Sequence, residues 1–98
     1  MRKLRIAMNA VEDLEAIRDY LHGKSPQAAL HVTRSLVAGF EILAETPWLG
    51  HQRDDVDDPR MRFYTRANYV IAYEFDDAVV DILHVVHGSR DFTRIEWR

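Results

Sequence analysis

No cysteine occurs in the 98 residues of this chain. Disulfides, thiolate metal centres and a cysteine nucleophile are therefore excluded, and the composition suits a reducing cytoplasm. Nor is there a run of about 18 consecutive apolar residues, which a membrane-crossing helix requires. The opening Met1-Arg2-Lys3-Leu4-Arg5-Ile6 lacks the continuous apolar segment of a signal peptide. A basic surplus is missing as well: 13 Lys and Arg stand against 16 Asp and Glu, a net charge of −3. Affinity built on neutralising many phosphates normally goes with positive charge, so this balance disfavours broad nucleic-acid binding. Lysine is limited to Lys3 and Lys24, and every basic residue after Glu45 is an arginine.

What is present is enough for a folded domain. Apolar residues make up 47% and charged residues 30% of the chain, too apolar for intrinsic disorder. A domain of this length removes roughly 65% of its unfolded surface from water, so one unit over residues 1–98 is expected. Leu4, Ile6 and Met8 alternate with Arg5 and Ala7, the mark of a short strand with one buried face. Asn9 and Glu12 then read as a capping box opening a helix, with Val11, Leu14, Ile17 and Leu21 on its apolar face and Gly23 at its end. Ser25-Pro26 restarts the chain as N-cap and first helical residue. Ala29, Val32, Leu36, Phe40 and Leu43 mark the inner face of a second helix reaching about Glu45, antiparallel to the first.

Thr46-Pro47-Trp48-Leu49-Gly50 breaks the helix, and the polar run from His51 to Pro59 is expected as an exposed loop. Its aspartates lack the glycine and terminal glutamate of a calcium-binding helix-loop-helix, so they read as solvated. Met61 to Arg66 forms a strand that turns at Ala67-Asn68. Tyr69 to Phe75 and Val79 to His87 follow as a hairpin, because the Asp76-Asp77 turn is too short for a crossover. The expected fold class is α+β: an N-terminal strand, then a helical hairpin on a small, twisted, mainly antiparallel sheet whose other face is partly open, then a short C-terminal helical segment.

Candidate functional residues cluster after the last strand. His84 and His87 are three apart on a strand, so they point to opposite faces and cannot share a metal without a bulge. Arg62 and Arg90 on one sheet edge would make an anion or partner site. Ser89 fits the cap of a terminal helical turn. Tyr69, Ile71 and Tyr73 share one face, which an open sheet would present to a partner. Phe92 and Ile95 would anchor the last segment, turning Arg94, Trp97 and Arg98 outward beside Arg90 as a target-binding patch.

The strand followed by Glu12-Asp13-Leu14, the Thr46-Pro47-Trp48-Leu49-Gly50 break, the Tyr69-Val70-Ile71-Ala72-Tyr73 strand and the Ile82-Leu83-His84-Val85-Val86-His87-Gly88-Ser89-Arg90-Asp91 run together resemble the RelE/ParE toxin superfamily, on its ParE branch. The resemblance implies the toxin of a type II toxin–antitoxin pair, a plasmid-stabilisation type of module. Such a toxin is cytoplasmic, forms a hetero-oligomer with a cognate antitoxin, and needs no cofactor, metal or membrane. ParE relatives are associated with DNA gyrase, and RelE relatives with cleavage of ribosome-bound messenger RNA. Cleavage needs a base, an acid and cations at the phosphate. Only Arg62, His87 and Arg90 offer themselves here, a thin constellation. The resemblance therefore favours a gyrase inhibitor acting by binding through Arg90, Arg94, Trp97 and Arg98, with Tyr69, Ile71 and Tyr73 for the antitoxin. An endoribonuclease, or an inactive antitoxin-binding module, is the alternative.

Overall fold

The first strand joins the last. In the computed structural model, which describes residues 2–98, β1 (Lys3–Ile6) pairs in parallel with β4 (Val79–His87). β3 (Tyr69–Phe75) lies antiparallel between β4 and β2 (Arg62–Arg66), giving the order β1-β4-β3-β2. Two helices, α1 (Met8–His22) and α2 (Pro26–Glu45), connect β1 to the rest and cover one face.

Ser25 caps α2 as expected, its hydroxyl accepting from the Ala28 amide at 3.2 Å, with Pro26 in the first turn. The start of α1 differs. Asn9 is not its cap; the helix begins at Met8 with Ala7 before it and no side-chain cap. The Ala7 amide still bonds the Ile82 carbonyl at 2.9 Å, while its own carbonyl receives the Ala10 amide at 3.0 Å. Sheet pairing thus carries the chain directly into the helix, and Asn9 is left two residues too far along to cap it.

Between the helices and the sheet lie Leu36, Phe40, Leu43, Ile71, Tyr73 and Ile82, all fully buried. Each such aliphatic or aromatic side chain stabilises the fold by about 2–3 kcal/mol through burial. The opposite sheet face is covered too, which corrects the expectation of an open one. Met61, Phe63, Val70, Ala72 and Val86 pack beneath Phe92 and Trp97 of the returning C-terminal segment. The signal was in the sequence: Tyr69 to Tyr73 is apolar at every position, the pattern of a strand buried on both sides rather than on one.

That C-terminal segment has a single 3-10 turn, Phe92–Arg94. Asp91, not Ser89, caps it, accepting from the Thr93 amide at 3.1 Å. The chain then runs extended to Arg98, whose Nε bonds Asp58 at 2.7 Å and whose Nη1 bonds Glu74 at 2.9 Å.

Candidate functional site

β1 stops at Ile6, so the edge of β4 beyond Ile82 has no strand beside it. Helix α1 crosses there instead. Asp13 accepts from the Val85 amide at 2.9 Å and pairs with His84 Nδ1 at 2.9 Å, standing in for a missing strand. The register shifts at Leu83, between the pairs Ala72–His84 and Tyr73–Ile82. His84 faces the C-terminal segment, edge-on to Trp97, and His87 faces the helices, edge-on to Tyr69. The two histidines do lie on opposite faces.

Past Asp13, α1 and the sheet diverge and leave an open cleft of about 600 Å³, lined by Ile17, Tyr20, Tyr69, Val85, His87 and Arg90 among others. The Ser89 amide donates to His87 Nδ1 at 3.1 Å, and the Ser89 hydroxyl lies 2.7 Å from the same nitrogen. With Nδ1 accepting, the neutral imidazole carries its proton on Nε2. Tyr69 is 8% exposed, and among the described residues its hydroxyl has no hydrogen-bond partner. Burial, and secondarily the nearby Tyr20, push its phenol above the ordinary range, so it stays protonated as a donor. The Lys24 ammonium sits 5.1 Å above the Tyr20 ring. Arg90 has no ion-pair partner among the described residues, because Asp91 engages Arg94 instead, at 3.4 Å.

The other expected site residues scatter. Arg62 pairs with Tyr73 across β2 and β3, whereas His87 pairs with Tyr69. Four residues of strand separate these positions, roughly 13 Å at 3.3 Å per residue. Arg62 Nη1 is occupied by the Gly50 carbonyl at 2.6 Å. Arg62 and Arg90 therefore do not share an edge, and no cluster of Arg62, His87 and Arg90 forms. Ile71 and Tyr73 offer no open surface, since both are fully buried under the helices. The Tyr73 hydroxyl donates to the Pro47 carbonyl at 2.7 Å and accepts from the Gly50 amide at 2.8 Å. Trp97 is turned inward at 9% exposure, with its ring 5.2 Å from Phe63. Arg90 and Arg94 are exposed as expected, while Arg98 is held by its two carboxylates. Tyr20 and Lys24, absent from the sequence-based candidates, enter the site because α1 ends beside the sheet. No local pattern in the sequence marked them.

A second surface lies on the helices. Leu30 and Val37, seven apart on α2, are 50% and 43% exposed, and Trp48 beyond it is 59% exposed. Single exposed apolar residues are ordinary, but these three lie on one element and the turn that follows it.

Two helices on an open, four-stranded, mostly antiparallel sheet make the α+β fold of the RelE/ParE superfamily. The family model described as the ParE toxin of type II toxin–antitoxin system, parDE, matches residues 4–92, and the chain belongs to that family. Among solved structures it is similar to a chain of the chromosomal ParDE toxin–antitoxin system from P. aeruginosa, with 23% identity, TM-score 0.73, and coverage of 89% of this chain and 96% of that one. It is also similar to a chain of the toxin–antitoxin complex RelBE2 from Mycobacterium tuberculosis, with 22% identity, TM-score 0.64, and coverage of 88% and 96%. No curated protein matches the sequence. Among the described residues, no helix is long and apolar enough to cross a membrane.

Proposed function

We propose that this ParE-family toxin acts in the cytoplasm by binding and inhibiting DNA gyrase, and that a cognate antitoxin holds it inactive. The observation that carries this reading is the dispersal of the nuclease candidates. Arg62 is spent on Gly50 at the far end of the sheet, and the one histidine beside Arg90 has its Nδ1 engaged by Ser89. Arg62 lies apart from the cleft that His87 and Arg90 share, so the set of Arg62, His87 and Arg90 does not converge on one phosphate-sized space, and this favours binding over bond cleavage. Arg90 and Arg94 supply the exposed part of the target-binding patch, and Trp97 and Arg98 fix the segment that carries it.

An antitoxin partner is supported by both structural neighbours, which come from toxin–antitoxin systems. Its docking place shifts from Tyr69, Ile71 and Tyr73 to the exposed Leu30, Val37 and Trp48, where an amphipathic segment that folds on binding would bury apolar side chains. Expression without antitoxin should cause DNA damage and filamentation while translation initially continues, and purified toxin should block gyrase supercoiling. Cleavage of ribosome-bound messenger RNA with gyrase unaffected would overturn the proposal.

A further inference from the structure

The cleft between α1 and the end of β4 combines an apolar floor with unspent hydrogen-bond donors. Tyr69 lines the cleft and is more than nine-tenths buried, and its hydroxyl has no hydrogen-bond partner among the described residues. Beside it stand His87, whose Nε2 carries the proton when Nδ1 accepts, the exposed Tyr20 phenol, and Arg90, which has no ion-pair partner among the described residues, with Lys24 over the Tyr20 ring. The one carboxylate in the wall, Asp13, already accepts from Val85 and His84. The donor set therefore asks for an acceptor, and the guanidinium asks for an anion.

We infer that this cleft seats an acidic peptide segment of a protein partner, with a carboxylate on Arg90 and Tyr69 and a neighbouring apolar side chain against Ile17, Val85 and the Tyr20 ring. The Arg90 fork suits a carboxylate in two-point contact. A cleft of about 600 Å³ has room for one or two side chains. A nucleic-acid strand is the weaker fit, because Arg90 supplies the one guanidinium that lines the cleft, in a protein of net charge −3. The partner's identity rests on the binding reading above; the chemistry it must carry rests on the cleft.

The test uses the full-length toxin and no gyrase, so its outcome is independent of whether gyrase is the target. Amide chemical shifts would be followed during titration with acetyl-Phe-Asp-amide, its neutral analogue acetyl-Phe-Asn-amide, and adenosine 5′-monophosphate. The acidic dipeptide should shift the Tyr69, Val85, His87 and Arg90 amides and bind at least tenfold more tightly than the neutral one. Arg90→Ala should remove that preference. Tyr69→Phe, which deletes a hydroxyl that bonds nothing in the protein, should weaken binding several-fold with the rest of the spectrum unchanged. Equal binding of the two dipeptides, shifts elsewhere on the surface, no binding of the acidic dipeptide, or tighter binding of the nucleotide at these residues would each overturn the inference.

Discussion

Tyr73 shows how one hydroxyl fixes a corner of the molecule. Fully buried, it ties the Pro47 carbonyl and the Gly50 amide to the central sheet, so the chain leaving α2 turns at a defined place. Tyr73→Phe would keep the ring and strand two buried backbone groups, at a cost of about 1–3 kcal/mol. Urea unfolding should show that loss, while Tyr64→Phe on the neighbouring strand should stay within about 0.5 kcal/mol. An equal effect at both positions would mean that the corner bonds carry no special weight. Gly50 belongs to the same device through close approach rather than unusual dihedrals. A Cβ there would lie 2.8 Å from the Phe63 carbonyl oxygen. Gly50→Ala should therefore also cost about 1–3 kcal/mol by overpacking.

Among the elements, the β2–β3 hairpin carries visible local strain. Ala67 and Asn68 both have positive φ, 54° and 69°, as a two-residue hairpin turn demands. Asparagine tolerates that region, but alanine costs roughly 1 kcal/mol there. Ala67→Gly should raise stability by about 0.5 kcal/mol, the relief being partly offset by the freer unfolded chain. A fall in the urea midpoint would contradict this. That the turn existed was legible from Ala67-Asn68 between two apolar runs. Both helices were legible for a similar reason, since their apolar residues recur at helical spacing over several turns. The first residue of α1 was not, because a sheet bond from Ala7, rather than a side-chain cap, decides where the helix begins. The separation of His84 from His87 followed from strand alternation, as both lie beyond the shift at Leu83. Tyr20 and Lys24 joined the site through packing of α1 against β4, which no local pattern encodes.

On the scale of the whole molecule, the C-terminal segment decides whether the sheet has one covered face or two. The spacing of Phe92 and Ile95 reads as the anchor of a helical segment with Trp97 outward, but the apolar face beneath is better covered by an extended strap that turns Trp97 inward with Phe92. Arg98 ties the end of that strap to Asp58 in the acidic loop and to Glu74 on β3. The hydrogen bond from Arg98, helped by Arg60, lowers the Asp58 carboxyl from an ordinary 3.8 to about 2. Because the folded value lies below the unfolded one, the stability this contact contributes is complete above about pH 4 and is lost as pH falls toward 2. Both partners are partly solvated, so at neutral pH Arg98→Ala should cost no more than about 1 kcal/mol. Its effect should show in acid. In a Trp48→Phe background, where Trp97 is the remaining tryptophan, fluorescence should report the strap lifting at a higher pH for Arg98→Ala than for the parent. Coincident acid profiles would mean that Phe92 and Trp97 hold the strap by packing alone, and that the arginine clamp contributes nothing to closing the second face.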